Sequence, residues 1–195
     1  MKKILAAFVG SMALASAPLA LAADATKELK MAYDADPVTL DIHEQLSGGI
    51  LQLSHMTFDP LLRWTKDLGF ELRLAESWER VDDKTMRFKL REGVKFHSGN
   101  ELTTADVKFT FERLKESQDF KAIFKPFSAI NVIDDYTFEL VTSEPYPLLL
   151  NTATYIFPLD SEFYSGQTED GKDKDAILKH GNSFASENLS GTGPY

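Results

Sequence analysis

Cysteine is absent from this chain of 195 residues. No disulfide, thiolate nucleophile or cysteine-based zinc site is therefore possible. The motifs of common enzyme chemistries are missing as well, since no G-x-S-x-G, P-loop or dinucleotide-binding fingerprint occurs. The four histidines show no H-x-H, H-x-x-x-H or H-E-x-x-H spacing, which favours structural or surface roles over metal binding. These absences give no reason to predict an enzyme, a cofactor or a metal site.

An excess of basic residues is also lacking. The chain has 21 Lys and Arg against 30 Asp and Glu, for a formal net charge of -9. Phosphate contacts need clustered Lys and Arg, so the composition argues against a nucleic-acid partner.

Long apolar runs are confined to the N-terminus. The basic pair Lys2-Lys3 precedes an apolar run over residues 4–14, and Ala20-Leu21-Ala22 supplies the small residues that signal peptidase requires. The pattern predicts a signal peptide, residues 1–22, cleaved after Ala22, rather than a membrane anchor. No cysteine follows to carry a lipid, so a free periplasmic protein of a two-membrane bacterium is expected.

The richest local pattern begins at residue 85. Residues 85–90 alternate polar and apolar side chains, the period of a half-buried strand, with Met86, Phe88 and Leu90 facing a core. Gly93 follows, and glycine readily takes the positive φ of a tight turn.

A capped helix is predicted after this strand. Residues 94–96 alternate again and predict a second short strand, and residues 98–100 have turn chemistry. Thr103 and Asp106 then have the spacing of a capping box. Apolar residues at helical spacing between 107 and 114 predict one buried helix face.

The rest of the chain combines short strand patterns with few long helices. A helix is predicted from Ile50 to Met56, closed by Asp59-Pro60. Further strands are predicted at residues 27–33, 128–132, 136–142 and 155–157, and a helical turn at 177–179. These patterns predict an α+β chain.

Three carboxylates, Asp34, Asp36 and Asp41, surround an early turn. Paired carboxylates could serve acid–base chemistry or bind calcium, but the spacing lacks the regularity of an EF-hand, so capping and solvation are favoured. Two functions of other classes stay open on the residues alone. One is a secreted hydrolase that uses two carboxylates, and the other is a periplasmic chaperone or interaction module.

Ordered segments along the chain resemble those of the family 5 extracellular solute-binding proteins, the dipeptide-, oligopeptide- and nickel-binding components of bacterial ABC importers. The matching segments are DPLL (59–62), LAESWE (74–79), LREGVKFHSG (90–99), LTxADVxFxF (102–111) and GTGPY (191–195). We call residues 90–113 the signature segment. It is expected to be a structural module that touches no ligand.

The resemblance implies a mixed α+β / α/β fold like that of type II periplasmic binding proteins. It implies that residues 23–47 start lobe I, that residues 48–144 form a small intermediate domain, and that residues 145–195 return to lobe I. The second lobe, which would close over the ligand, is missing from the sequence. The chain is therefore expected to be the N-terminal part of a longer protein.

The implied function is capture of di- or oligopeptides, or a similar small solute, and delivery to an inner-membrane ABC permease. A monomer without catalysis or cofactor is expected. The candidate ligand-binding residues are Tyr33, Asp34, Asp36, Phe58, Asp59, Tyr155 and Thr192. The first three end the first predicted strand, where open sheets meet ligands. Phe58 and Asp59 lie just past the second predicted crossing of the chain between domains. Tyr155 and Thr192 lie in the segments that return to lobe I.

Overall fold

The computed structural model describes Ala32 and residues 36–195. The predicted signal peptide, the predicted first strand apart from Ala32, and the candidates Tyr33 and Asp34 lie outside the described residues. The helices are α1 (Gly48–Thr57), α2 (Thr104–Glu116), α3 (Lys121–Phe124), α4 (Leu149–Ala153) and α5 (Ser161–Tyr164). The strands are β1 (Leu62–Trp64), β2 (Phe70–Leu72), β3 (Ala75–Arg80), β4 (Thr85–Leu90), β5 (Phe127–Val132) and β6 (Thr137–Thr142). One turn of 3-10 helix spans Phe184–Ser186.

Four antiparallel strands form the main sheet in the order β3-β4-β6-β5. Every second residue of the central strand from Met86 to Leu90 is fully buried on one face. On the opposite face Arg87 pairs with Glu79 and Glu139 on the two neighbouring strands, each at 2.8 Å. The alternation predicted for residues 85–90 is therefore confirmed, and it sets which face of the sheet carries the core.

Helix α2 covers the buried face of this sheet. The predicted capping box is present, and the Thr103 amide donates to the Asp106 carboxylate at 2.8 Å. The predicted apolar face is buried at Val107, Phe111 and Leu114. Asp106 also accepts hydrogen bonds from the amide and the hydroxyl of Ser161, at 2.8 and 2.7 Å, so one carboxylate caps α2 and fastens α5 to it.

The described residues contain two hydrophobic clusters. The larger lies between the sheet and α2, and within it Phe88 and Phe138 stack with ring centroids 5.4 Å apart. The smaller is made by Ile42, Phe58, Phe157, Leu159, Tyr164 and Ala185. The two are separate even though single segments, such as the one holding Ile156 and Phe157, supply a residue to each. The domain boundaries at residues 48 and 144 stay a prediction.

Three local predictions are wrong. Residues 94–96 form only one isolated antiparallel bridge, from Lys95 to Glu101, and no strand of the sheet, because Val94 and Phe96 hydrogen-bond across their own tight loop. Residues 155–157 are buried or half-buried but continue from α4 as a turn, with Tyr155 N–H donating to the Thr152 carbonyl at 3.0 Å. Residues 177–179 are not helical. In the first two segments the apolar run marked buried residues but did not fix the backbone conformation, whereas in the third Leu178 is itself exposed.

Candidate functional site

The GTGPY segment lies directly against the end of α1. A Cβ atom on Gly191 would stand 1.9 Å from the Thr57 carbonyl oxygen, and one on Gly193 would stand 2.5 Å from that of Met56. The Gly193 amide donates to Thr57 at 2.8 Å. Side chains are excluded at both glycines because the two backbones touch.

The imidazole of His97, in the signature segment, brackets the same two glycines. Its Nδ1 accepts from the Gly191 amide at 3.3 Å, and its Nε2 lies 2.7 Å from the Gly193 carbonyl oxygen. The His97 amide completes the bracket by donating to the Gly191 carbonyl at 2.9 Å. With Nδ1 accepting, Nε2 is the nitrogen that donates to the Gly193 carbonyl. The signature segment thus holds the GTGPY segment in place.

Thr192, between the two glycines that His97 contacts, lies against Asp59. The Asp59 amide donates to the Thr192 hydroxyl oxygen at 3.2 Å, and that hydroxyl lies 3.4 Å from the Asp59 carboxylate. The other carboxylate oxygen of Asp59 pairs with Arg73 at 2.6 Å, which raises the pKa of Arg73. Arg73 also pairs with Glu71 at 3.3 Å, and Glu71 with Arg63 at 2.9 Å. A chain of ion pairs therefore runs from Asp59, which Thr192 contacts, to Arg63 of β1.

A pocket of about 310 Å³ lies at the β1 end of this chain of ion pairs, and we call it the α1–β1 pocket. Its lining residues are Leu51, His55, Arg63, Trp64, Thr154, Tyr155 and Phe157. Helix α1, strand β1 and the turn after α4 each supply part of the wall. The volume is at the lower end of the range for small-molecule sites, which are mostly apolar with a few polar groups.

The environment of His55 shows the electrostatic character of the pocket. Burial lowers the pKa of His55, and the positive charge of Arg63 lowers it further, against the opposing effect of Asp59. The ring packs edge-on against Phe157 at a centroid distance of 5.1 Å. His55 therefore stays neutral at physiological pH and can donate or accept a hydrogen bond.

The candidate ligand residues have different surroundings. Asp59 and Thr192 are in contact, and Tyr155 forms part of the pocket wall. Phe58 is 2% exposed and belongs to the smaller hydrophobic cluster, whereas Asp36 is exposed at the surface. Contact of any of them with a ligand stays a prediction.

Sequence reasoning missed the remaining wall of the pocket, chiefly His55, Arg63 and Trp64. A signal was available in Arg63 and Trp64, which directly follow two apolar residues that are fully buried. An arginine and a tryptophan at the exposed end of a short strand are residue types enriched at binding surfaces.

The solvation expected for Asp41 is wrong. Arg113 of α2 holds its carboxylate with two hydrogen bonds of 2.7 and 2.5 Å, and the two side chains are 0% and 4% exposed. Burial by itself would raise the pKa of Asp41, but the hydrogen bonds and charge of Arg113 outweigh it and hold the pKa below its usual value. The Arg113 guanidinium also donates to Nδ1 of His43 at 3.0 Å. We call these three residues the Asp41–His43–Arg113 cluster, and it joins the segment before α1 to α2.

Within residues 36–195, no three or more metal-binding side chains come together. The same part of the chain has no helix of the length and apolarity needed to span a bilayer.

The chain belongs to the bacterial extracellular solute-binding proteins of family 5. The model described as "Bacterial extracellular solute-binding proteins, family 5 Middle" matches residues 69–195, more than half of the chain. The chain is 32% identical over 145 residues to "Di/tripeptide-binding protein 1" of Pseudomonas aeruginosa (strain UCBPP-PA14), covering 63% of this chain and 25% of the relative. It is 26% identical over 145 residues to "Glutathione-binding protein GsiB" of Escherichia coli (strain K12), covering 72% and 28%.

Solved structures show the same fold. The structure of NikZ from Campylobacter jejuni in complex with Ni(L-His) matches with a TM-score of 0.65 at 20% identity, over 83% of this chain and 31% of that one. The chain thus has the mixed α/β fold of these binding proteins, and it spans about a quarter to a third of the length of the proteins it matches.

Proposed function

We propose that this chain forms part of the solute site of a periplasmic binding protein that passes a peptide or similar amino-acid-derived solute to an inner-membrane ABC permease. Family membership supports a solute-binding role. The names of the relatives support the solute class, because glutathione, di- and tripeptides and Ni(L-His) all carry amino-acid backbones with charged groups. The observation that carries the proposal is the α1–β1 pocket, which is bordered by the ion pairs leading to Asp59 and Thr192.

In this role the pocket binds without changing its ligand. Apolar walls at Leu51, Tyr155 and Phe157 favour a side chain or apolar body, and His55 and Arg63 offer hydrogen bonds to a polar end. The carboxylates nearest the pocket are not free for acid–base work, because Asp59 and Glu71 are each paired with an arginine. Binding without catalysis is therefore the function proposed, and the expectation of a monomer stays a prediction.

Export to the periplasm is part of the same proposal. It is supported by the basic, apolar and small-residue pattern of the first 22 residues and by the extracellular character of the family. N-terminal sequencing of protein from periplasmic extract is expected to begin at Ala23. An intact Met1 would contradict export with cleavage.

Backbone amide NMR provides the direct test of the binding site. The protein would be titrated with a dipeptide, a tripeptide, glutathione and nickel–histidine, each to tens of millimolar so that weak binding is detected. At least one solute is expected to shift amides around His55, Arg63, Tyr155 and Thr192 in a saturable way. Glu169 and Lys172, in an exposed turn, serve as internal controls. Absence of saturable shifts at the pocket for all four solutes would contradict the proposed site.

A further inference from the structure

The α1–β1 pocket has the size of one amino-acid-sized group rather than of a long peptide. Its volume of about 310 Å³ is at the bottom of the range found for small-molecule sites, about 300–1,000 Å³. A long peptide would have to leave most of its length outside these walls. The part of the solute that enters the pocket is therefore small.

Flat aromatic side chains make up much of the pocket wall. Trp64, Tyr155 and Phe157 line it together with the ring of His55. Trp64 is 40% exposed although it leans on Phe70 at a ring-centroid distance of 4.6 Å. A large ring supported from beneath and open on its other side is suited to stacking against a second ring.

The charge in the lining of the pocket has one sign, although the carboxylates of Glu71 and Asp59 lie in ion pairs at its border. Its lining contains the guanidinium of Arg63 and no carboxylate among the described residues. Arg73 lies behind Arg63, linked to it through Glu71. The positive charge of Arg63 contributes to lowering the pKa of His55, which is the direction expected of a site that disfavours a further positive charge. An anionic group is therefore better accommodated than an ammonium group.

We infer that the α1–β1 pocket selects a solute that carries an aromatic ring next to a carboxylate, such as a dipeptide with a C-terminal aromatic residue. The ring stacks on Trp64 between Leu51 and Tyr155, and the carboxylate faces Arg63 and His55. This inference rests on the proposed function and adds the substrate class. The residue that determines specificity for the ring is Trp64, and the one for the charge is Arg63.

A tryptophan reporter allows a direct test, because the chain has only two tryptophans, Trp64 and Trp78. In the Trp78→Phe variant, fluorescence reports on Trp64 alone. The probes are Ala-Phe, Ala-Phe-amide and Ala-Ala. Ala-Phe is expected to change the fluorescence with a Kd at least tenfold below that of Ala-Ala, and the amide is expected to bind about tenfold more weakly than the free acid.

Variants assign these preferences to side chains, with binding measured by calorimetry. Trp64→Leu should reduce the preference for Ala-Phe over Ala-Ala to within about twofold, and Trp64→Phe should restore most of it. Arg63→Gln should remove the preference for acid over amide and leave the preference for a ring. Trp78→Leu is the matched control, since Trp78 is also 40% exposed but lies on β3, and it should change neither ratio.

The outcomes separate the two claims. If Ala-Ala binds at the pocket as tightly as Ala-Phe, the substrate class is wrong while the proposed site stands. If Trp64→Leu and Trp78→Leu lower the preference equally, specificity does not reside in Trp64. If no probe binds, the substrate class is contradicted, and the proposed function is decided separately by the NMR titrations with the tripeptide, glutathione and nickel–histidine.

Discussion

The buried imidazole of His43 should make this protein lose stability as the pH falls from 7 to 5. His43 is 1% exposed, and among the described residues its Nε2 is the only buried side-chain nitrogen or oxygen without a hydrogen-bond partner. Burial lowers the pKa of His43 to about 3, with a further lowering by Arg113 and an opposing effect of Asp41. The folded protein therefore keeps His43 neutral at a pH where the unfolded chain protonates it.

The sign and size follow from linkage. Between pH 6.5 and about 3 the unfolded state binds the extra proton, so the free energy of unfolding rises with pH across this window and falls on acidification. Each pH unit below 6.5 removes about 1.4 kcal/mol, which gives about 2 kcal/mol at pH 5. Asp41 does not contribute to the loss of stability between pH 7 and pH 5. Because its pKa is lowered in the folded protein, the stability that it contributes is lost only as the pH falls below the ordinary value near 3.8.

Urea unfolding at pH 7, 6 and 5 measures this loss, and His43→Asn provides the reference. Asparagine keeps an acceptor near the position of Nδ1 for Arg113 but does not titrate. The wild-type protein should lose about 2 kcal/mol more than the variant between pH 7 and pH 5. The comparison also cancels His55, whose pKa is lowered in both proteins. Equal pH dependence in the two, or a His43 ring that titrates near pH 6.5 by NMR, would refute the reasoning.

Two further predictions concern backbone approach and capping. Gly191→Ala should destabilise the protein by at least 3 kcal/mol in urea unfolding, because its Cβ would stand 1.9 Å from the Thr57 carbonyl. Gly48→Ala is the control, since its Cβ meets no atom within 4 Å, and it should be neutral or slightly stabilising; equal losses would contradict the close approach. Asp106→Ala should cost about 2–3 kcal/mol and Thr103→Ala about 1 kcal/mol, because Asp106 alone also bonds Ser161. The reverse order in thermal or urea unfolding would show that the capping threonine matters more than the tie to α5.

The sequence predicts those parts of the fold in which one side-chain period persists over several residues. Strand β4 and the apolar face of α2 could be placed because their periods of 2 and 3.6 residues continue long enough to be distinguished. Residues 94–96 and 155–157 could not, because three residues fit either period. Their conformation depends on partners distant in sequence or on a local loop, such as the bond between Leu61 and Ile156.

Only those parts of the candidate site that lie in locally recognisable segments could be predicted. Asp59 and Thr192 could be named because they lie in recognisable segments, but their contact spans 133 positions and has no local sign. Asp41 and Arg113 are 72 positions apart, and only their apolar neighbours hint that each needs a buried partner of opposite charge. Pockets assembled from three separate segments, such as the α1–β1 pocket, depend on the whole chain path.

The hydrogen bond from the Leu61 amide to the Ile156 carbonyl, at 2.9 Å, joins the two ends of a long excursion of the chain. Everything between these residues, including the whole main sheet and α2, starts and finishes at one point inside the larger hydrophobic cluster, to which Leu61 and Ile156 both belong. Topologically, residues 61–156 are an insertion whose two ends meet. Insertion is tolerated best where the two ends of a unit meet in this way. The same geometry means that any bending at this point must deform the backbone at Leu61 and at Ile156 together.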